Sequence, residues 1–282
     1  MIFLFNGAHS LFAANLMLVE FSLTRAIFAF IMTFSFFYRM RIFDEIKDLE
    51  VDLRVNPTRP LARGLLSLRG CKTVLLFLIV GELIIAWGLG KSVFFVHGLA
   101  IGYSLLMYEE FFIGDWLRPR LTTYAVTHTL VSVLLGLSCV VAQTPQILES
   151  VENNQTVSLI LFVFMNWCFF NLFEFARKTF SKSEERPTVD SYSSLFGPWG
   201  AAGLSISQAV VGTFFVFALL HDPLLSVYAW SDRIFFLMCA VYCTSSILFA
   251  LKPSPTLARI FRAISAVYLL THYGLLVWVF KG

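Results

Sequence analysis

Long apolar runs dominate this sequence, and no other feature restricts its possible folds as strongly. A helix that crosses a bilayer needs about 20 mostly apolar residues, because hydrocarbon offers its backbone groups no outside hydrogen-bond partner. Nine stretches meet or approach that length: Phe3–Val19, Leu23–Met40, Thr73–Leu89, Val93–Tyr108, Leu121–Val141, Val157–Phe175, Trp199–Leu220, Ile234–Leu251 and Ile264–Phe280. The composition agrees. Hydrophobic residues make up 58% of the 282 positions and charged ones 14%, where a soluble domain carries roughly 25% charged residues. The expected fold is all-α, a polytopic bundle of about nine transmembrane helices in a single domain over residues 1–282. The first stretch is the weakest, since it is short and contains Asn6, His9 and Asn15; a shortened or partly interfacial helix is expected there. Met1-Ile-Phe-Leu-Phe lacks the basic region and cleavage site of a signal peptide, so this segment is read as retained.

Charge is distributed unevenly between the loops. With nine spans, only Arg25, Lys91, Arg233 and Lys281 of the 21 Lys and Arg fall on one side, and all the others fall on the opposite side. The positive-inside rule makes that basic side cytoplasmic, together with the N-terminus. The net charge of +3 says little by itself, and nucleic acid is not among the expected partners. Cys71, Cys139, Cys168, Cys239 and Cys243 lie in or beside apolar runs without a CxxC pair or a nearby histidine, and read as small packing residues.

The richest chemistry follows the second span. Asp44, Asp48 and Asp52 recur at i, i+4 and i+8, which places them on one helix face. Three like charges in a row call for a positive partner. Mg²⁺ is one, since it takes one or two carboxylates together with substrate phosphates; Arg41 and Lys47 on the same turn are another. Next comes a loop shaped by Pro57, Pro60 and Gly64 that carries Arg54, Arg59 and Arg63. Arginine suits bidentate contacts to phosphate. Carboxylates, arginines and an apolar bundle together suggest a lipid diphosphate.

This segment resembles the UbiA superfamily of intramembrane prenyltransferases. That family carries Asn-Asp-x-x-Asp-x-x-x-Asp and then Arg-Pro-Leu-x-x-Gly. The chain has Asp44-Glu45-x-x-Asp48-x-x-x-Asp52 and then Arg59-Pro60-Leu61-x-x-Gly64 in the same register, with Asp44 where the family usually has Asn. The resemblance implies a lipid-accessible cavity capped by the loops after the second and sixth helices. It also implies Mg²⁺-assisted ionisation of a prenyl diphosphate donor, and capture of the allylic cation by a lipophilic acceptor, often an aromatic ring. On that basis Asp44, Asp48 and Asp52 are expected to hold metal and Arg59 to contact diphosphate. Arg54 and Arg63 accompany it, and the family's basic residue in the next loop corresponds to Arg118 or Arg120.

The second half departs from the family, whose second motif is Asp-x-x-x-Asp. At an offset of 130 residues Phe43-Asp44 meets Phe173-Glu174, and Asp48 meets Lys178. The expectation is that Lys178 or Arg177 fills the place of a second metal ion, while Glu174 holds the first ion or orients the cation. An alternative alignment makes Glu184 or Glu185 the surviving acids, and a merely solvated basic loop is a third reading. Asp190 and Tyr192 precede the seventh span, and the run from Tyr192 to Gly197 resembles the family's hydroxyl-rich opening of that helix. Glu82 in the third span and His128 in the fifth are further cavity candidates, because ionisable groups at membrane depth are costly; a structural hydrogen bond is the competing reading for each. A terpene cyclase on the same scaffold and a non-enzymatic lipid-binding or transport protein remain alternatives. A phosphatidyl-type transferase is disfavoured, as there is no Asp-Gly-x-x-Ala-Arg segment.

Overall fold

The computed structural model describes residues 1–150, 152–186, 190–223, 225 and 231–281. Its helices in chain order are α1 (Ile2–Leu16), α2 (Leu23–Lys47), α3 (Leu49–Val55), α4 (Leu68–Leu89), α5 (Lys91–Tyr108), α6 (Gly114–Leu117), α7 (Leu121–Thr129), α8 (Val131–Gln143), α9 (Ile147–Ser150), α10 (Asn153–Arg177), α11 (Tyr192–Leu220), α12 (Ser231–Leu251) and α13 (Pro255–Lys281). Local chemistry sets several of the starts. The Ser22 and Ser67 hydroxyls accept from the amides of Arg25 and Gly70, and Ser191 with Ser194 forms a capping box. Within α11 the chain kinks at Gly197, whose φ of 69° suits glycine, just before Pro198.

Among the described residues, seven helical segments are long and apolar enough to cross a membrane: α2, α4, the continuous pair α7–α8, α10, α11, α12 and α13. The expected first and fourth spans also form helices, α1 and α5, of 15 and 18 residues. At about 1.5 Å per residue α1 is roughly 22 Å long, less than the hydrocarbon thickness of about 30 Å.

The helix α1 is nevertheless no surface element. Phe5, Ala8, Phe12 and Ala13 are fully buried, and the helix packs against α13, α8 and α2. Its polar groups find partners inside the bundle. Asn6 donates to the Ala26 carbonyl (2.9 Å) and Asn15 to the Phe280 carbonyl (2.7 Å), while His9 donates to its own helix at Phe5 (2.7 Å). Two of the polar residues that made this stretch look interfacial, Asn6 and Asn15, are therefore ties between helices.

Contacts between loops gather the chemistry at one end. Lys47 meets Glu110 (3.2 Å), Arg59 reaches back to Asp52 (2.9 Å) and Arg262 pairs with Glu184 (2.7 Å). At the opposite end Arg25 donates to the carbonyls of Leu89 and Ala142, and Gln155 donates to that of Leu16.

Candidate active site

The last turn of α2 and the short helix α3 carry the acids. The i to i+4 backbone bonds Asp48→Asp44 and Asp52→Asp48 (2.9 and 2.8 Å) keep the three aspartates in helical register, but their environments differ. Asp44 and Asp48 are exposed and line a cavity of about 460 Å³. Asp52 is buried, accepts from Asn56 (3.0 Å), and pairs with Arg59 Nη1 at 2.9 Å. The same Arg59 nitrogen lies 3.5 Å from Asp48 and 4.0 Å from Glu45. Glu45, which the sequence reading did not single out, is buried and also paired with Arg41. Acceptors still outnumber donors: the buried Oε2 of Glu45 lacks a hydrogen-bond partner, and the single Arg59 Nη1 is shared among Asp52, Asp48 and Glu45. A residual need for positive charge is thus built into this wall.

Across the cavity stands the end of α10. Glu174, Arg177 and Lys178 all line the same space as Asp44, Asp48 and Arg59. Glu174 is already held, accepting from Arg177 Nε and Nη2 (2.9 and 2.6 Å) and facing Lys178 Nζ at 3.3 Å. This wall carries two cations for one acid.

Below the charged rim the lining turns apolar and aromatic, with Phe36, Phe37, Met40, Val131 and Phe170. Tyr124 and His128 form one side, their rings stacked at 3.9 Å and 13°. His128 donates through Nδ1 to the Tyr124 carbonyl (2.7 Å), so Nε2 carries the lone pair, and that atom has no hydrogen-bond partner. Lys47 lies 3.4 Å from the Tyr124 hydroxyl. Sequence reasoning missed Tyr124; its spacing of four from His128 on α7 was the available signal.

The neighbouring loop is strained. Glu110, Phe111 and Phe112 have φ of 50°, 55° and 57°, a left-handed turn that costs roughly 1–2 kcal/mol per non-glycine residue. Glu110 is clamped there by Lys47 and by Arg118 (2.6 Å). Burial works against its charge, yet the Arg118 and Lys47 hydrogen bonds hold its carboxyl below the ordinary range. Arg118 therefore serves Glu110 at the cavity's edge and does not line the cavity. Arg120 donates to the Trp116 carbonyl and lies over that indole, 4.3 Å from its centroid.

Other expected residues also lie outside the cavity lining. Arg54, Arg63 and Asp190 are exposed. Tyr192 is fully buried, with its ring against Phe175 and its hydroxyl 3.5 Å from the Leu121 carbonyl. Glu82 faces away from the cavity, in a closed cluster with Arg39 (3.3 Å), His97 (3.2 Å) and Ser35 (2.7 Å). Arg39 and Glu82 are both buried, and each charge compensates the other, which is the structural reading of that acid. Glu184 accepts from Arg262 and Ser181; against the opposing effect of burial, these bonds hold its carboxyl down at about 2. Glu185 accepts from Ser191 and Ser193. Neither acid lines the cavity.

Among the described residues no group of three His, Cys, Asp or Glu side chains is placed to cage a metal ion. The exposed carboxylates of Asp44 and Asp48, one helical turn apart and both lining the cavity, fit a hard divalent ion that takes its remaining ligands from water and an anionic substrate. The α10 wall does not fit a second such ion, because its one carboxylate is occupied by two cations.

No protein-family model and no curated protein matches the sequence. Two solved structures match its fold. One is that of a digeranylgeranylglyceryl phosphate synthase in membranes, with a TM-score of 0.65 and 12% identity over 99% of this chain and 92% of that one. The other is the apo structure of a UbiA homolog from Aeropyrum pernix K1, with a TM-score of 0.63 and 18% identity over 96% and 97% of the two chains. The chain has a UbiA-like fold.

Proposed function

We propose that this UbiA-fold protein is a Mg²⁺-dependent intramembrane prenyltransferase, moving an isoprenyl group from a prenyl diphosphate to a lipophilic acceptor. The observation that carries this reading is one cavity with acids on one rim, cations on the other and aromatic walls below. A prenyl diphosphate has the matching polarity, a highly charged head on an apolar tail. The positive-inside rule puts the charged rim on the cytoplasmic side, so donor and acceptor meet at that face of the membrane.

Each part of the cavity has a distinct task. Asp44 and Asp48 would hold the ion, and Asp52 with Glu45 keeps Arg59 at the rim. When bound, Mg²⁺ supplies charge that stabilises the diphosphate as it leaves. Lys178 and Arg177 add fixed positive charge opposite, already oriented by Glu174, so little reorganisation is needed as negative charge builds on the leaving oxygen. The aromatic walls exclude water and offer π faces to the allylic cation.

The test is pyrophosphate release from prenyl diphosphates of graded length, with and without Mg²⁺ and with and without an aromatic acceptor. Release that requires Mg²⁺ and an acceptor supports the proposal. Release without acceptor, accompanied by a cyclic hydrocarbon, would move the protein to terpene cyclisation. Binding without release would make it a lipid carrier.

A further inference from the structure

The cavity ends on aromatic rings, and their arrangement bears on which donor fits. Phe37 on α2 and Phe170 on α10 sit at its inner end, with nearly parallel planes (7°) and centroids 6.4 Å apart. Phe5 of α1 backs both, presenting edges at 6.4 Å and 5.9 Å. Phe5 is fully buried and is itself packed on His9 and Tyr273, which are fully buried too. Solid core therefore continues beneath the pair. Phe36, the third ring at this level, is fully buried and pinned by the Arg39 guanidinium 4.6 Å from its centroid. Phe37 and Phe170 are only half-buried, so these two rings bound the free space.

The depth can be read from the helices. Phe37 lies seven residues before Asp44 on one wall, and Phe170 four residues before Glu174 on the other. At 1.5 Å per residue the floor is about 10 Å below Asp44 on one wall and about 6 Å below Glu174 on the other, the reach of no more than about two extended isoprene units. The volume of about 460 Å³ lies toward the lower end of the range of roughly 300–1,000 Å³ for small-molecule sites. Part of it must take the diphosphate.

We infer that Phe37 and Phe170, braced by Phe5, form a floor that limits donor length, so that the protein prefers short prenyl diphosphates of no more than about two isoprene units. This rests on the proposed reading of the site as a prenyl diphosphate site. A longer tail meets the paired rings and must displace a packed core. Shortening either ring opens a path toward Phe5.

The experiment measures pyrophosphate release from geranyl, farnesyl and geranylgeranyl diphosphate with Mg²⁺, for the wild type and for Phe37→Ala and Phe170→Ala. Phe37→Leu and Phe170→Leu serve as milder variants that keep most of the packing should the alanines unfold. The wild type is expected to favour geranyl diphosphate. In the alanine variants the ratio of kcat/KM for geranylgeranyl over geranyl diphosphate should rise at least about tenfold, the discrimination that even a single methylene can command in an apolar pocket. The leucines should move it less, in the same direction. A wild type that favours a longer donor, or active variants with an unchanged ratio, would overturn the floor and leave the site reading intact. A folded wild type that releases pyrophosphate from no donor would overturn the site reading, and the floor with it.

Discussion

The ends of α2 and α10 face each other across one cavity, and at an offset of 130 residues they are versions of one pattern with opposite charge. Asp44 and Glu174 line the cavity from opposite sides, and so do Asp48 and Lys178. The α2 side has Asp44, Glu45, Asp48 and Asp52 against Arg41 and Arg59, with the one Arg59 Nη1 shared among Glu45, Asp48 and Asp52. The α10 side has Glu174 against Arg177 and Lys178, with its carboxylate engaged on both oxygens. A repeated backbone can thus keep its place while the charge it presents is inverted. An anionic ligand between the two walls would be held through an added cation on one and directly on the other.

The largest expected effect comes from removing a cavity-facing acid. Asp48→Asn should lower kcat for pyrophosphate release by roughly 1,000-fold, the equivalent of about 4 kcal/mol of transition-state stabilisation. It should also raise the Mg²⁺ concentration needed for half-maximal turnover. Asp44→Asn should cost much less, since the family this segment resembles usually has Asn at that position. Near-normal turnover in Asp48→Asn would break the contrast at its acidic end.

Lys178 tests the other wall. Lys178→Ala should reduce kcat by about 100-fold, the scale seen when one preorganised charge-stabilising group is lost, with the Mg²⁺ requirement unchanged. Lys178→Asp gives α10 the acid spacing of α2, and should recover activity relative to the alanine only as Mg²⁺ is raised. If Lys178→Ala turns over at the wild-type rate, the cations on α10 are a solvated helix end and the inversion has no catalytic meaning.

How much of this was legible in the sequence depended on whether a property is local. Apolar length marks helices, so the bundle and the register from Asp44 to Gly64 could be read directly. Burial of α1 could not, because the ties from Asn6 to Ala26 and from Asn15 to Phe280 are made between helices. The i, i+4, i+8 spacing put three aspartates on one face. It did not reveal that Arg59 would fold back onto Asp52 and leave only Asp44 and Asp48 facing the cavity. Glu82 stands out in the sequence as an ionisable group at membrane depth, but its partners Arg39 and His97 come from two other helices. Tyr124 and the paired rings Phe37 and Phe170 carry no motif; their importance follows from which wall of a three-dimensional space they occupy.

The smallest effect is expected at Glu184, and it sharpens the comparison because this acid is the alternative counterpart of the α2 aspartates. It is bonded to Arg262 and Ser181 and lies outside the cavity lining. Glu184→Gln should therefore leave turnover at neutral pH within about twofold and the Mg²⁺ requirement unchanged, and its partly exposed ion pair should cost about 1 kcal/mol of stability or less. The pH dependence has a definite sign. The Glu184 carboxyl is held at about 2 in the fold, against an ordinary value of 4.5. Its stabilising contribution is complete above the ordinary value and is lost as pH falls from there toward 2. The glutamine variant lacks that contribution, so the melting temperatures of the two proteins should differ most above pH 5 and converge in acid. A constant difference across this range would show that the Arg262 pair contributes nothing through charge. A loss of turnover or metal affinity in Glu184→Gln comparable to that of Asp48→Asn would place the second acidic site in this loop, and Lys178 would then no longer be the counterpart of Asp48.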